Sequence, residues 1–452
     1  MRPMQSPRPP RDGALRACIL AGLLSACSSG PSLTREELLS PDTCKGCHPD
    51  HYREWSGSMH AYAADDPVFM AMNARGQRET GGELGDFCVR CHAPMALLEG
   101  ATTDGLDLAD APQHLKGVTC YFCHSVDAVE GTHNNPLLLA DDGVMRGGIS
   151  DPDDNKAHDS TGSPLHDRES RESSDMCGAC HDVVTPAGVH LERTFTEWQD
   201  SLFGQDGLAH ISCSGCHMTG RDGRAADQDG APARRVHEHT FAGVDVALTQ
   251  WPEKEAQLEA IRRDLDPSLQ AELCVNMDPG PVAQVTLDNV LVGHMWPSGA
   301  AQDRRAWVEL VAYIGDEVIH QSGVVDEGQP VASLADPDLW LMRDRALDAE
   351  GEVAHMFWDV AEVESELLPP AVTSDPADPR YFHAVTRSYL LPGLPDRVTM
   401  RVHLEPIGLD VMDDLIASGD LDRSVRDAAF RFTVGGTDLE WTTDVGVFNC
   451  VR

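Results

Sequence analysis

The chain has 452 residues, and 74 acidic against 35 basic side chains give a formal net charge of −39. Such a surface repels nucleic acid and anionic lipid, which excludes polyanion binding as a function class. At 41% hydrophobic, with 39 Gly and 29 Pro, the composition is that of a globular, loop-rich chain of two to three domains, and its 14 cysteines are the informative number.

Arg2, Arg8, Arg11 and Arg16 precede the apolar run Ala17–Leu24, too short to span a bilayer and long enough for a signal-peptide core. Leu24-Ser25-Ala26-Cys27 and a polar stretch follow. This resembles a bacterial lipoprotein signal. The resemblance implies that residues 1–26 are removed and that Cys27 is acylated. With Ser28 next, it also implies sorting to the outer membrane, facing periplasm or cell surface. The other reading is an ordinary signal peptide with a chance cysteine. Residues 27–43 are expected to be a flexible tether.

Five times the chain reads Cys-x-x-Cys-His: Cys44, Cys47 and His48; Cys88, Cys91 and His92; Cys120, Cys123 and His124; Cys177, Cys180 and His181; Cys213, Cys216 and His217. Two thiols three residues apart share one side of a helical turn and can both form thioethers to one porphyrin. The adjacent His then reaches the iron from the proximal side. Zinc ribbons and disulfides also use Cys-x-x-Cys, but neither needs a His after every second Cys. The pattern predicts five covalently bound haem c groups with iron. The first cysteines lie 44, 32, 57 and 36 residues apart, too little protein to insulate the haems from one another.

Of 20 His, fifteen remain for sixth ligands or other uses. Two stretches share the pattern aromatic-x-Glu-Trp-x-x-Ser, Tyr52–Ser58 and Phe195–Ser201, which suggests a duplicated helix packing its Trp on a porphyrin face. The alternative is a chance match. With Trp55–His60, Phe87–Pro94, Gly117–His124 and Cys213–Met218, residues 44–243 resemble the cytochrome c-554-like multihaem family. The resemblance implies a mostly helical, haem-packed, electron-carrying domain with some haems stacked in pairs. It places a distal ligand on His60 and another on His239, and it points to His158 and His166 in the stretch before the fourth motif. The family's founding members have four haems, so the fifth haem's partner stays open.

Residues 125–176 and 219–236 read as loops. The connector 244–273 holds a helix, Trp251–Leu265, with Thr249 as N-cap and Pro252 in its first turn. From residue 274 the pattern alternates at period two in Val285–Leu287, Trp307–Ile314 and Val398–Leu404. Gly315-Asp316 marks a hairpin into Glu317–Val325, and Val411–Ser418 is a short helix ending at Gly419. The predicted fold class is therefore α+β: a mostly helical multihaem domain, 44–243, then a mostly β, sandwich-like domain, 274–452. After ten haem thiols, Cys27 and the leader's Cys18, only Cys274 and Cys450 remain. Outside the cytoplasm they are expected to form a disulfide, the alternative being two free thiols. Gly293-His294-Met-Trp-Pro297-Ser-Gly299 resembles a turn of multihaem cytochromes with a β domain. His294 there either caps a haem or is a hydrogen-bonded turn residue. Arg304 and Arg305 are candidate partners for haem propionates.

Two function classes follow. The first is a lipid-anchored pentahaem electron carrier with redox protein partners and, through Cys27, a bilayer. Its β domain could also serve as a docking module. The second is a nitrite- or hydroxylamine-type multihaem oxidoreductase with one open haem site. Pentahaem nitrite reductases, similar in length and haem count, typically carry a Cys-x-x-Cys-Lys site that this chain lacks. The surplus of His argues for filled sixth positions, so the reading favours a carrier and assigns no catalytic residue.

Overall fold

The computed structural model describes residues 33–153 and 157–452. The predicted leader and Cys27 lie outside the described residues. The described part of the expected tether is folded: Thr34 and Glu37 form a capping box on the helix Arg35–Leu38, and Leu38 and Leu39 are buried. Helix takes up 28% and strand 24%, so neither carries the fold alone. No helix among the described residues is long and apolar enough to cross a membrane.

Up to residue 243 the helices are short, because each Cys-x-x-Cys-His is itself little more than one turn. Examples are Val89–His92, Cys120–Ser125 and Cys213–His217. The longest is Pro67–Glu79, whose N-cap Asp66 accepts from the Val68 N–H. Two stretches expected as loops contain strands. Val144–Gly147 pairs in parallel with Asp159–Gly162, and Gly220–Arg224 forms an antiparallel ladder with Ala233–His237. These strands are only four or five residues long and carry no sustained alternation, so periodicity could not reveal them. The connector helix starts later than expected, at Lys254, after Glu253 in the left-handed region with φ 53° and no side-chain cap. The Thr249 hydroxyl instead pairs with that of Tyr62 at 3.1 Å.

Beyond residue 270 two antiparallel sheets face each other. The first has the order Val385–Leu390, Val282–Asp288, Gln270–Asn276, Cys450–Val451. The second runs Glu317–Ser322, Arg305–Ile314, Arg397–Glu405, Phe432–Thr433, with Trp340–Met342 and Leu439–Thr442 as further partners. Leu273, Val285 and Leu287 from one sheet and Val308, Leu310, Val402 and Leu404 from the other fill a single apolar cluster. The alternation read at 398–404 is the burial pattern of Arg397–Glu405, and Gly315-Asp316 turns the expected hairpin. The helix Leu409–Ala417 stops before Gly419, at φ 83°. Cys450 lies directly opposite Cys274, and the two are disulfide-bonded.

Two apolar clusters join the parts. Val68 and Ala71 of Pro67–Glu79 pack on Leu409, Met412 and Leu415, and Leu84 packs with Ala346 and Phe357. Beside them, fully buried Arg305 holds Asp410 at 2.7 Å and the Gln302 carbonyl at 2.8 Å. The Arg305 guanidinium and His355 hold the Asp410 carboxyl below its usual range against the opposing effect of burial. Arg305→Ala would leave that carboxylate buried beside His355 alone. Its expected cost is about 3–5 kcal/mol, read as a lowered denaturation midpoint.

Candidate haem-binding sites

The ten cysteines of the five motifs are all free thiols, in contrast to Cys274 and Cys450. Thr119 and Ser212 cap two of the motif turns, accepting from the N–H groups of Phe122 and Gly215. Cysteines of different motifs adjoin: Cys44 with Cys120, Cys91 with Cys180, and Cys177 with Cys213.

Four of the five motif histidines, all but His181, turn Nδ1 to a backbone carbonyl. Nδ1 of His48 bonds the Ala225 carbonyl at 2.6 Å, that of His92 the Ala63 carbonyl at 3.2 Å, and that of His217 the Ala242 carbonyl at 2.8 Å; His124 bonds that of Arg146. An Nδ1–H donated to a carbonyl fixes the tautomer whose Nε2 lone pair is free for iron. Burial pushes His124 and His181 down to about 4, so both rings stay neutral at physiological pH.

An imidazole nitrogen lies about 2.0 Å from its metal and about 1.15 Å from its own ring centre, so two rings on one metal axis have centroids about 6.3 Å apart. Six histidine pairs stand near that spacing, and four of them join a motif histidine to a ring from a distant segment: His48 with His158 at 6.2 Å, His181 with His60 at 6.2 Å, His124 with His239 at 6.3 Å and His217 with His294 at 6.4 Å; the other two are His48 with His51, its neighbour on the next turn, at 6.1 Å, and His133 with His190 at 6.2 Å, which includes no motif histidine. His239 and His294 also turn Nδ1 to backbone carbonyls, of His237 at 2.9 Å and Met295 at 2.8 Å. The donor set therefore fits haem iron. His166 also lies beside His124, but closer, at 5.6 Å, and its Nε2 bonds the Cys123 carbonyl at 2.7 Å. Among the described residues no histidine pairs in this way with His92; Phe69 stacks on that ring at 4.1 Å. The surplus of His therefore does not reach the second motif.

One expectation is corrected. Arg304 and Arg305 are taken by carboxylates: Arg304 grips Asp245 through both terminal nitrogens at 2.9 Å, and Arg305 holds Asp410. Each pairing neutralises a guanidinium that is almost wholly buried. The tryptophans of the duplicated helix use their indole N–H groups as ties. Trp55 donates to the Val118 carbonyl at 2.8 Å and Trp198 to that of Ile211 at 2.9 Å. The sequence reading passed over the glutamates of the same pattern, Glu54 and Glu197. Both touch segments that carry paired histidines. Their presence in both copies was the signal available.

Five Cys-x-x-Cys-His turns, four motif histidines with Nδ1 on a carbonyl and four second rings at metal spacing are the donor set that a multihaem c-type cytochrome with covalently bound haem c needs. Residues 43–125, which include the first three motifs, match the family described as cytochrome c554 and c-prime. The fold is similar to the crystal structure of a penta-heme cytochrome c552 from Thermochromatium tepidum. The likeness has 22% identity and a TM-score of 0.61, and covers 89% of this chain and 98% of that one. No curated protein matches the chain.

Proposed function

We propose that the chain is a pentahaem electron carrier, exported, held at the outer membrane by acylated Cys27, and exchanging electrons with redox proteins of the periplasm or cell surface. Covalent haem c supplies reversible one-electron chemistry at iron. The observation that carries the reading is that attachment cysteines of separate motifs adjoin: Cys44 with Cys120, Cys91 with Cys180, Cys177 with Cys213. His48, His92, His124, His181 and His217 serve as proximal ligands. His158, His60, His239 and His294 take the opposite positions on four irons, at the spacings given above. His166 is a neighbour in this assignment, because its Nε2 is engaged by a carbonyl. Residues 44–243 form the haem domain, 244–273 a connector, and 274–452 a sandwich-like β domain that carries no haem motif. The excess of acidic residues favours a basic redox partner, with electron transfer that slows as salt rises.

Electron paramagnetic resonance of the oxidised holoprotein tests this. The expected spectrum is dominated by low-spin ferric haem from four bis-His sites. A second reading has its own observation: Phe69, and no His, stacks on His92. It makes the second motif an open site, as a nitrite- or hydroxylamine-type oxidoreductase needs. A high-spin signal from one haem in five that shifts on adding cyanide or nitrite would support it. More than one high-spin haem would sink the assignment of four pairs.

A further inference from the structure

The two aromatic-x-Glu-Trp-x-x-Ser helices share a whole set of bonds. About sixty residues separate Ser58 from Cys120, yet only about a dozen separate Ser201 from Cys213. In both copies the Ser hydroxyl bonds the Trp carbonyl, at 2.7 Å for Ser58 and 2.8 Å for Ser201. In both, the indole N–H reaches a carbonyl two residues ahead of a motif's first Cys. The N–H of that same residue, Val118 or Ile211, returns to the carbonyl two positions past the Ser, of His60 at 2.8 Å or Phe203 at 3.0 Å. In both, the first Cys of the held motif adjoins the first Cys of another motif. The haem region therefore contains one unit twice, with the second motif inserted in the first copy.

The glutamate of each copy reaches the other side of the same site. Oε2 of Glu54 accepts the backbone N–H of His239 at 3.0 Å, while Oε1 accepts from Arg221 at 2.9 Å. Oε2 of Glu197 accepts the backbone N–H of Met295 at 3.2 Å and the Ser298 hydroxyl at 2.6 Å, with Arg193 at 3.9 Å from Oε1. Both carboxylates belong to side chains only 10% exposed. His239 faces His124, and His294 faces His217, the histidines of the very motifs that Trp55 and Trp198 tie down. Each unit thus fixes one ring of its pair through Trp and the other through Glu.

We propose that Glu54 and Glu197 are equivalent positioning residues. Each holds the backbone that presents the distal histidine, His239 or His294, to the haem attached within its own unit. This rests on the ligand assignment above. A carboxylate accepting an N–H at a nearly dry site makes a strong, directional bond, and a small displacement of that backbone segment would turn the imidazole relative to its partner.

The test uses the oxidised holoprotein, with haem content and paramagnetic resonance read together. Glu197→Asp keeps the charge and shortens the reach by one methylene. Glu197→Gln keeps the length and an acceptor oxygen but drops the charge. The Asp variant is expected to shift one low-spin signal, convert up to one haem in five to high spin, or lose that haem, while the Gln variant matches wild type. Glu54→Asp should repeat the Asp pattern at a different haem; the Gln control belongs to Glu197 alone, because Oε1 of Glu54 accepts from Arg221 and an amide nitrogen there would face a donor. Asp variants with wild-type spectra, or a Glu197→Gln variant altered as much as Glu197→Asp, overturn the proposal. His239→Ala and His294→Ala test the assignment beneath it: an unchanged spectrum in those two removes the ligands themselves, whatever the glutamate variants do.

Discussion

Replacing His60 with alanine is expected to convert one haem in five from low to high spin. The His60 ring lies 6.2 Å from that of His181, with the planes inclined at 53°. Burial pushes His60 down to about 3, so the ring is neutral and keeps a lone pair at any physiological pH. Its position is determined from both sides. Ser58 caps the turn Met59–Tyr62 by accepting from the Ala61 N–H, and the His60 carbonyl accepts from Val118. Alanine keeps those backbone bonds and removes only the ligand. The affected haem should be that of Cys177 and Cys180, and it should gain affinity for cyanide. A fully low-spin spectrum in the variant would refute the pairing of His60 with His181.

The motif turns were legible because covalent haem attachment is local: five residues of sequence hold both thiols and the proximal His. The strands after residue 270 were legible because one buried face imposes period two, as in Arg397–Glu405. What sequence could not order was which histidine rings meet. His48 meets His158, and His217 meets His294, across many intervening residues, so spacing along the chain offers nothing to separate His239 from His166. Ring spacing, and which ring nitrogen a carbonyl engages, are properties of the folded chain alone. The duplicated helix was visible as a pattern, but the carbonyl that satisfies each indole N–H, of Val118 or Ile211, lies in another segment that no local pattern points to. Arg304 and Arg305 fail as propionate partners because within the fold they are nearly inaccessible, and a buried guanidinium must be neutralised in place.

Removing the disulfide with Cys274→Ser and Cys450→Ser is expected to lower stability by up to about 5 kcal/mol, because the bond spans 176 residues and the unfolded chain loses that loop's freedom. The native side of the balance points the same way. The strand Cys450–Val451 pairs at only two positions, Cys450 with Cys274 and Val451 with Leu273. Without the covalent link, few contacts remain to hold this end: the Phe448 N–H on the Val275 carbonyl at 2.8 Å and the Trp441 indole on the Asn449 carbonyl at 3.2 Å. Trp441 is fully buried, so fraying should reach the sandwich core and raise the exposure of that ring. Guanidinium denaturation followed by Trp fluorescence would show the lowered midpoint, and a midpoint equal to wild type would refute the argument. The haem signals should not move at all. Neither cysteine belongs to a haem motif, and the ring pairs are set by hydrogen bonds within the haem region and to the His294 turn. Damage confined to the sheet, with four low-spin pairs intact, is the outcome that a stapled β sandwich beside a haem core predicts.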